Sequence, residues 1–207
     1  MNFTDTLYML PGIIIGFSLH EFAHAQVATW LGDNTPKYQG RLTTNPLAHI
    51  DIIGFLMMIF AGFGWAKPVE INPNNFKNKK RDDILVSLAG PLMNLVIAFL
   101  FLILMKIVYY VPQSILNDEI YENIMNFFYS AVWINIVLFV FNLIPIPPLD
   151  GHHILSDLIG LKDKKLYNKF YPCGQLLLLA LIITNIIDKI ITPPITLIYN
   201  TLSEIFF

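Results

Sequence analysis

Two histidines four residues apart, with a glutamate directly after the first, stand near the start of the chain as His20-Glu21-Phe22-Ala23-His24. On an α-helix, positions i and i+4 share a face, so the imidazoles of His20 and His24 can converge on one ion. The pattern His-Glu-x-x-His has a mechanical reading: two zinc ligands and a carboxylate that serves as general base in peptide hydrolysis. Glu21 is therefore the candidate catalytic residue. With five histidines in 207 residues, the pattern arises by chance in roughly three sequences per thousand of this composition. The competing explanation is a pair of hydrogen-bonded packing histidines on a buried helix. The setting weakens it, because the motif lies in an apolar run from about Leu7 to Leu31, where ionisable groups are costly and usually functional.

The rest of the composition agrees with that setting. At 55% hydrophobic and 14% charged residues, the chain is too apolar for an ordinary soluble domain and suits a polytopic membrane protein in contact with lipid. A net charge of −2, without a basic cluster interleaved with aromatics, makes nucleic acid an unexpected partner. Cys173 is the only cysteine, which excludes an internal disulfide and any cysteine-based zinc cluster within one chain. The first apolar run lacks a basic leading segment and is read as a retained span.

The elements that must position the motif follow from hydropathy and punctuation. The first span is expected over about Thr6–Leu31, ended by Gly32-Asp33-Asn34-Thr35-Pro36. Lys37–His49 reads as short strands and turns. The next apolar run, Ile50–Gly64, holds about 15 residues and is short for a full crossing, so it is re-entrant or barely spanning. Ala66–Ile71 reads as a strand edge. Further spans are expected over Ile84–Val111, Ile124–Ile144 and Gln175–Thr192, the last stopped by Pro193-Pro194 and followed by an interfacial tail, Ile195–Phe207. Between Asn142 and Gly151, Pro145, Pro147 and Pro148 must unwind the chain and suggest a lined cavity at membrane depth. The expected fold is an all-α polytopic membrane protein with four full transmembrane helices, one re-entrant or spanning apolar segment and short β-strands near the active site. Residues 1–207 form one domain.

Charge placement then gathers the polar features. Of the thirteen basic residues, all but Lys106 and Lys189 fall in 37–49, 65–81 and 162–169. The positive-inside rule makes those segments cytoplasmic, so Ile50–Gly64 should dip in and return. Counting about 1.5 Å per helical residue, His20 and Asn94 each lie about 16 Å in from the cytoplasmic ends of their spans. Asp150 belongs to the same side. Alone, Asn94 reads as a helix-packing hydrogen bonder and Asp150 as a turn residue; their convergence on the histidine pair favours an active site toward the cytoplasmic face of the cell membrane.

These residues resemble the site-2 proteases, intramembrane zinc metalloproteases. The resemblance rests on Ser18–Ala25, on Gly90-Pro91-x-x-Asn94, and on Asn142 through Leu149-Asp150-Gly151. Gly40-Arg41-Leu42, Asn45–His49 and Gly64–Pro68 further resemble a compact bacterial subgroup without a PDZ module. The resemblance implies that His20, His24 and Asp150 ligate one zinc ion, that Glu21 is the general acid/base, and that Asn94 and Asn142 meet the substrate. It further implies membrane-protein substrates, single-span in the simplest case, cut near the cytoplasmic side. His152 could back the ligand set or compete with it, and His49 and Asp51 could approach the cleft. A zinc transporter or sensor would also place histidines and aspartates in spans, but it needs no carboxylate beside the first histidine.

Overall fold

The apolar runs fold as helices, and the ends of each helix explain its limits. The computed structural model describes residues 3–61, 64–112, 115–161 and 167–207. In order, α1 is Phe3–Trp30, α2 the single turn Thr35–Tyr38, α3 Ile52–Ala61, α4 Lys79–Tyr109, α5 Asp118–Asn142, α6 Asp150–Leu158, α7 Tyr167–Ile183 and α8 Ile186–Phe206. Asn78 and Asn117 cap α4 and α5, their side-chain oxygens accepting from the backbone N–H of Arg81 and Ile120. At the other end of α1, Gly32 takes φ 109° and Asp33 N returns to Ala28 O at 2.9 Å, closing the helix with a left-handed glycine.

Three helices are long and apolar enough to cross a membrane, namely α4, α5 and the Thr6–Trp30 part of α1, and the bent pair Tyr171–Ile183 and Ile186–Phe206 makes up to four. Helices α1, α4 and α5 pack pairwise into the central bundle, with α6 against α4 and α8 against α5. The core they share includes Ile97, Ala98 and Leu102 of α4, Val132 and Ile136 of α5, and Ile187, Ile191 and Ile195 of α8.

The last span differs from expectation. Gln175–Thr192 is not one helix: α7 ends at Ile183, Asn185 takes the left-handed conformation with φ 55°, and the chain bends by 79° into α8. Nor do Pro193 and Pro194 stop a helix, since both lie inside α8 and the tail continues it. The inner stripe Ile187, Ile191, Ile195, spaced by four, is buried in the core while Pro193 faces outward. That burial outweighs the backbone hydrogen bonds the prolines remove.

The segments expected as strands are irregular. Within Lys37–His49 the chain forms the end of α2 and a 3₁₀ turn at Pro46–Ala48, capped by Asn45. Among the described residues there is no strand, and the one β-type pairing is the antiparallel bridge Ile50–Ala66, flanked by Lys67 N donating to His49 O at 2.8 Å. That bridge has a topological consequence. The apolar run leaves and returns at one level, and the ten residues of α3 reach only about 15 Å, half the hydrocarbon thickness. Of the two expected alternatives, this geometry is compatible with the re-entrant one. Gly62 and Phe63 of that run, Gln113 and Ser114 of the acidic loop, and 162–166 of the basic segment Lys162–Lys169 lie outside the described residues.

The loop after α3 is tied to the end of α1 by one carboxylate. Asp33, fully buried, accepts from Thr35 N at 3.0 Å, Thr35 Oγ1 at 2.6 Å, Asn75 Nδ2 at 2.7 Å and Asn72 N at 2.7 Å. Burial pushes the Asp33 carboxyl up, but these donors prevail and hold it below the usual carboxylate range. A depressed folded-state value stabilises the fold above the unfolded value of about 3.9 and ceases to do so as pH falls through the folded one. Asp33→Asn should therefore lower stability by roughly 1–3 kcal/mol at neutral pH, and the gap to the native chain should close as pH falls below about 4. Thermal unfolding in detergent across a pH series measures this; a gap that does not change with pH would contradict the role of the charge.

Candidate metal centre

One turn of α1 supplies both histidines, and the start of α6 supplies the third group. His20 and His24 lie one above the other on the face of α1 turned toward α4. The proline-rich turn after α5 delivers Asp150 as the first residue of α6. His20 Nε2 lies 3.2 Å from Asp150 Oδ2, His24 Nε2 lies 3.4 Å from Asp150 Oδ1, and the two Nε2 atoms are 3.0 Å apart. His20 and His24 are buried and Asp150 is nearly so. Among the described residues these three form the one cluster able to hold a metal ion.

The hydrogen bonds behind the rings decide their tautomers. His24 Nδ1 lies 2.7 Å from Val86 O, an acceptor only, so that nitrogen carries the proton. His20 Nδ1 lies 2.7 Å from Asn94 Oδ1. The Asn94 amide is oriented by its other partners, since its Nδ2 donates to Gly16 O and Asn135 Oδ1, each at 3.2 Å. In the neutral rings both Nε2 atoms are therefore lone pairs facing each other, beside a carboxylate whose Oδ2 is buried without a hydrogen-bond donor. Electron-rich atoms so arranged repel one another unless a cation lies among them.

The ligand set fits zinc. Nitrogen and oxygen ligands at 2.0–2.2 Å in tetrahedral geometry stand about 3.3 Å from one another, and the observed separations of 3.0 to 3.4 Å bracket that value. Two imidazoles, each backed by a protein oxygen, and a carboxylate are the donor set of a catalytic site with one position left open. Gly90 makes the room: a methyl there would fall 2.6 Å from His20 Cε1 and Nε2, and closer to His24 Nε2.

Glu21 is buried beside the cluster. Its Oε2 accepts a 2.8 Å hydrogen bond from Val69 N, so the irregular strap 66–72 crosses over the carboxylate. Arg41 ties the strap down through its Nη2, which donates to Lys67 O and, at 3.0 Å, to Pro68 O. Gln39 Nε2 adds a bond to Glu70 Oε2 at 2.7 Å.

The other residues singled out in the sequence are distributed as follows. Asn94 is fully buried against His20. Asn142 is half-buried at the end of α5, its Nδ2 donating to Leu138 O of its own helix at 3.0 Å. His49 is buried and bonded through Nε2 to Thr43 O at 2.7 Å; Asp51 caps α3 by accepting from Gly54 N at 2.8 Å. His152 meets Ser156 Oγ at 3.3 Å and the Tyr171 ring. None of these three joins the cluster. Arg41 and Val69 lay in segments the sequence singled out, Gly40-Arg41-Leu42 and the edge Ala66–Ile71, but their contacts with the strap and with Glu21 were not legible. Asn135 was not singled out, although it carried a signal as an uncharged polar residue inside an apolar span like Asn94.

Comparison with known proteins agrees with this chemistry. The family described as Peptidase family M50 matches residues 104–184. A Bacillus subtilis protein with the provisional name zinc metalloprotease YwhC is 37% identical over 201 residues, covering 96% of this chain and 90% of its own. A Methanocaldococcus jannaschii protein, also provisionally named a zinc metalloprotease, is 30% identical over 75% of this chain and 73% of its own. The Mycolicibacterium smegmatis protein provisionally named zinc metalloprotease Rip2 is 27% identical over 88% of this chain and 69% of its own. No solved structure matches the chain significantly.

Gly90→Ala should weaken zinc retention roughly tenfold or more, because the added methyl displaces an imidazole. Chelator competition on purified protein reads this, and circular dichroism should show the helices intact; unchanged zinc retention would contradict the placement of the ion between these rings.

Proposed function

Because the chain belongs to peptidase family M50, the site-2 protease family, and is a zinc metalloprotease, we propose that it is an intramembrane endopeptidase cutting membrane-protein substrates in or near their transmembrane segments. The observation that carries this reading is the trio of bare ligand atoms from His20, His24 and Asp150 inside a bundle of membrane-length helices, with Glu21 adjoining it. In this reading residues 1–207 act as one domain, one zinc ion is held per chain, and the protein is a multi-pass protein of the cell membrane with its site toward the cytoplasm. The basic residues flanking α2 and the strap support that orientation.

Zinc held by His20, His24 and Asp150 would polarise the scissile carbonyl and bring a water to a pKa near 7. Glu21 does the proton work. With Oε2 engaged by Val69 N–H, its Oε1 accepts the proton of the attacking water and passes it to the nitrogen of the departing amine as the C–N bond breaks. No covalent intermediate with the protein is needed. Asn142 is proposed to meet the substrate backbone; Asn94 can do so only by exchanging a hydrogen bond it makes in this structure.

A transmembrane helix shields its own peptide bonds, so the substrate must unwind before it is cut. Strand addition against Arg41–Thr44 or Val69–Ile71 would hold it extended and satisfy its backbone. The preferred substrates are single-span proteins or leftover signal segments, which unwind with fewest tertiary contacts to break.

Two experiments test the reading. Host cells expressing the native chain or Glu21→Gln at equal levels are compared by quantitative proteomics of membrane-protein fragments. Cleavage should fall by about 10²–10⁴-fold in the variant while zinc stays bound; identical fragment profiles with metal present in both would favour a transporter or scaffold. Val69→Pro removes the N–H that holds Glu21 and one edge position. It should reduce cleavage of a reconstituted substrate at least about tenfold without releasing zinc, and unimpaired cleavage would sink the role of the strap.

A further inference from the structure

We propose that Asn135, on α5, is a positioning residue of the metal centre that acts through Asn94 to fix the tautomer and aim of His20. The inference rests on the reading of His20 as a metal ligand. Asn135 lies outside every motif that carries the family resemblance, and it is 0% exposed in the middle of an apolar span. A buried primary amide there is costly unless its groups are paired, and all of them are: Nδ2 donates to Ala131 O at 2.8 Å and Gly12 O at 3.3 Å, while Oδ1 accepts from Asn94 Nδ2.

Asparagine in a span commonly serves helix packing alone, and the direction of the bonds separates the two roles. The two backbone carbonyls accept and cannot donate, so they force the Asn135 nitrogen toward α1 and its own helix, and the oxygen toward Asn94. Asn94 must then present its NH2 to Asn135 Oδ1 and Gly16 O, which turns its Oδ1 to His20 Nδ1. His20 in turn must donate from Nδ1 and keep a lone pair on Nε2. Polarity therefore runs without an ambiguous link from two carbonyls in α1 and α5 to the ligand atom. His24 needs no such relay, because Val86 O holds its Nδ1 directly.

The helix surfaces are shaped to admit these amides. A Cβ at Gly16 would stand 2.7 Å from Asn135 Oδ1 and 3.4 Å from Asn94 Nδ2, and one at Gly12 would stand 2.8 Å from the Ala131 backbone. Gly16, whose carbonyl accepts from Asn94, thus also gives the amides space, and Gly12, whose carbonyl accepts from Asn135, lets the backbone of α5 approach α1.

The test uses the full chain purified in detergent. Zinc dissociation constants are read by chelator competition, and apo-protein melting temperatures alongside, for the native chain, Asn135→Leu, Asn135→Ser, Asn94→Leu and the double variant Asn94→Leu/Asn135→Leu. Serine is included because its hydroxyl satisfies Ala131 O within its own helix but is too short for Asn94, which guards against misfolding of the leucine variant. Both single substitutions at 135 should weaken zinc about 10–100-fold, and Asn135→Leu should add little once Asn94 is gone. Zinc affinity within about twofold of native with a lowered apo melting temperature would reveal a packing role alone and overturn the proposal. Full additivity in the double variant would overturn it too. Failure of the metal reading looks different, since the native chain itself would then bind no zinc.

Discussion

Two imidazole nitrogens and a carboxylate, crowded within about 3.4 Å of one another in an apolar bundle, call for a positive charge among them, supplied by a proton or a metal ion. Much of the surrounding structure is an answer to that constraint. Each imidazole is prevented from relieving the repulsion by changing its tautomer, because its Nδ1 faces an oxygen that can only accept. The glycine at position 90 keeps α4 close without filling the space between the rings. The unwound turn Pro145–Pro148 sets Asp150 at the start of a short helix that packs on α4, so three separate elements are held to one small volume.

Polar groups at membrane depth are tolerated here because they are joined rather than scattered. Asn135, Asn94 and His20 form one hydrogen-bonded chain from α5 through α4 to α1, ending on backbone carbonyls that the glycine face of α1 leaves accessible. This is also what orders the bundle. In lipid the hydrophobic effect between helices is weak, so close backbone approach and interhelical amides carry specificity. Packing and ligand geometry thus depend on the same contacts.

At the boundary of the bundle the chain changes character. The apolar run Ile50–Gly64 presents Ile52, Ile53 and Phe60 outward, while its two ends are pinned by a single bridge and by Arg41. The strap that follows touches Glu21 through a backbone N–H and is anchored to the end of α1 through Asp33. The Glu21 carboxylate, to which the proposed function gives the proton transfer, is therefore oriented by a segment without regular structure, whose geometry comes from side chains of other segments.

The helices, the zinc-type chemistry and the pairing of His20 with His24 were legible because they follow from local rules. Hydropathy over about 20 residues specifies a span, and a four-residue spacing specifies a shared face whatever surrounds it. Depth counting brought Asn94 to the layer of the histidines for the same reason, and charge placement brought Asp150 to the same side. The sequence misled where a local rule met a tertiary one. Pro193 and Pro194 read as a stop, yet the isoleucine stripe of α8 buries strongly enough to carry the helix through them; β-branched residues and turns read as strands, yet none pairs for more than one bridge. Asn135 beside Asn94, Val69 against Glu21 and Arg41 over the strap were decided by tertiary structure alone. Each is a contact between residues 26 or more positions apart, and no periodicity encodes which distant backbone group a side chain will meet.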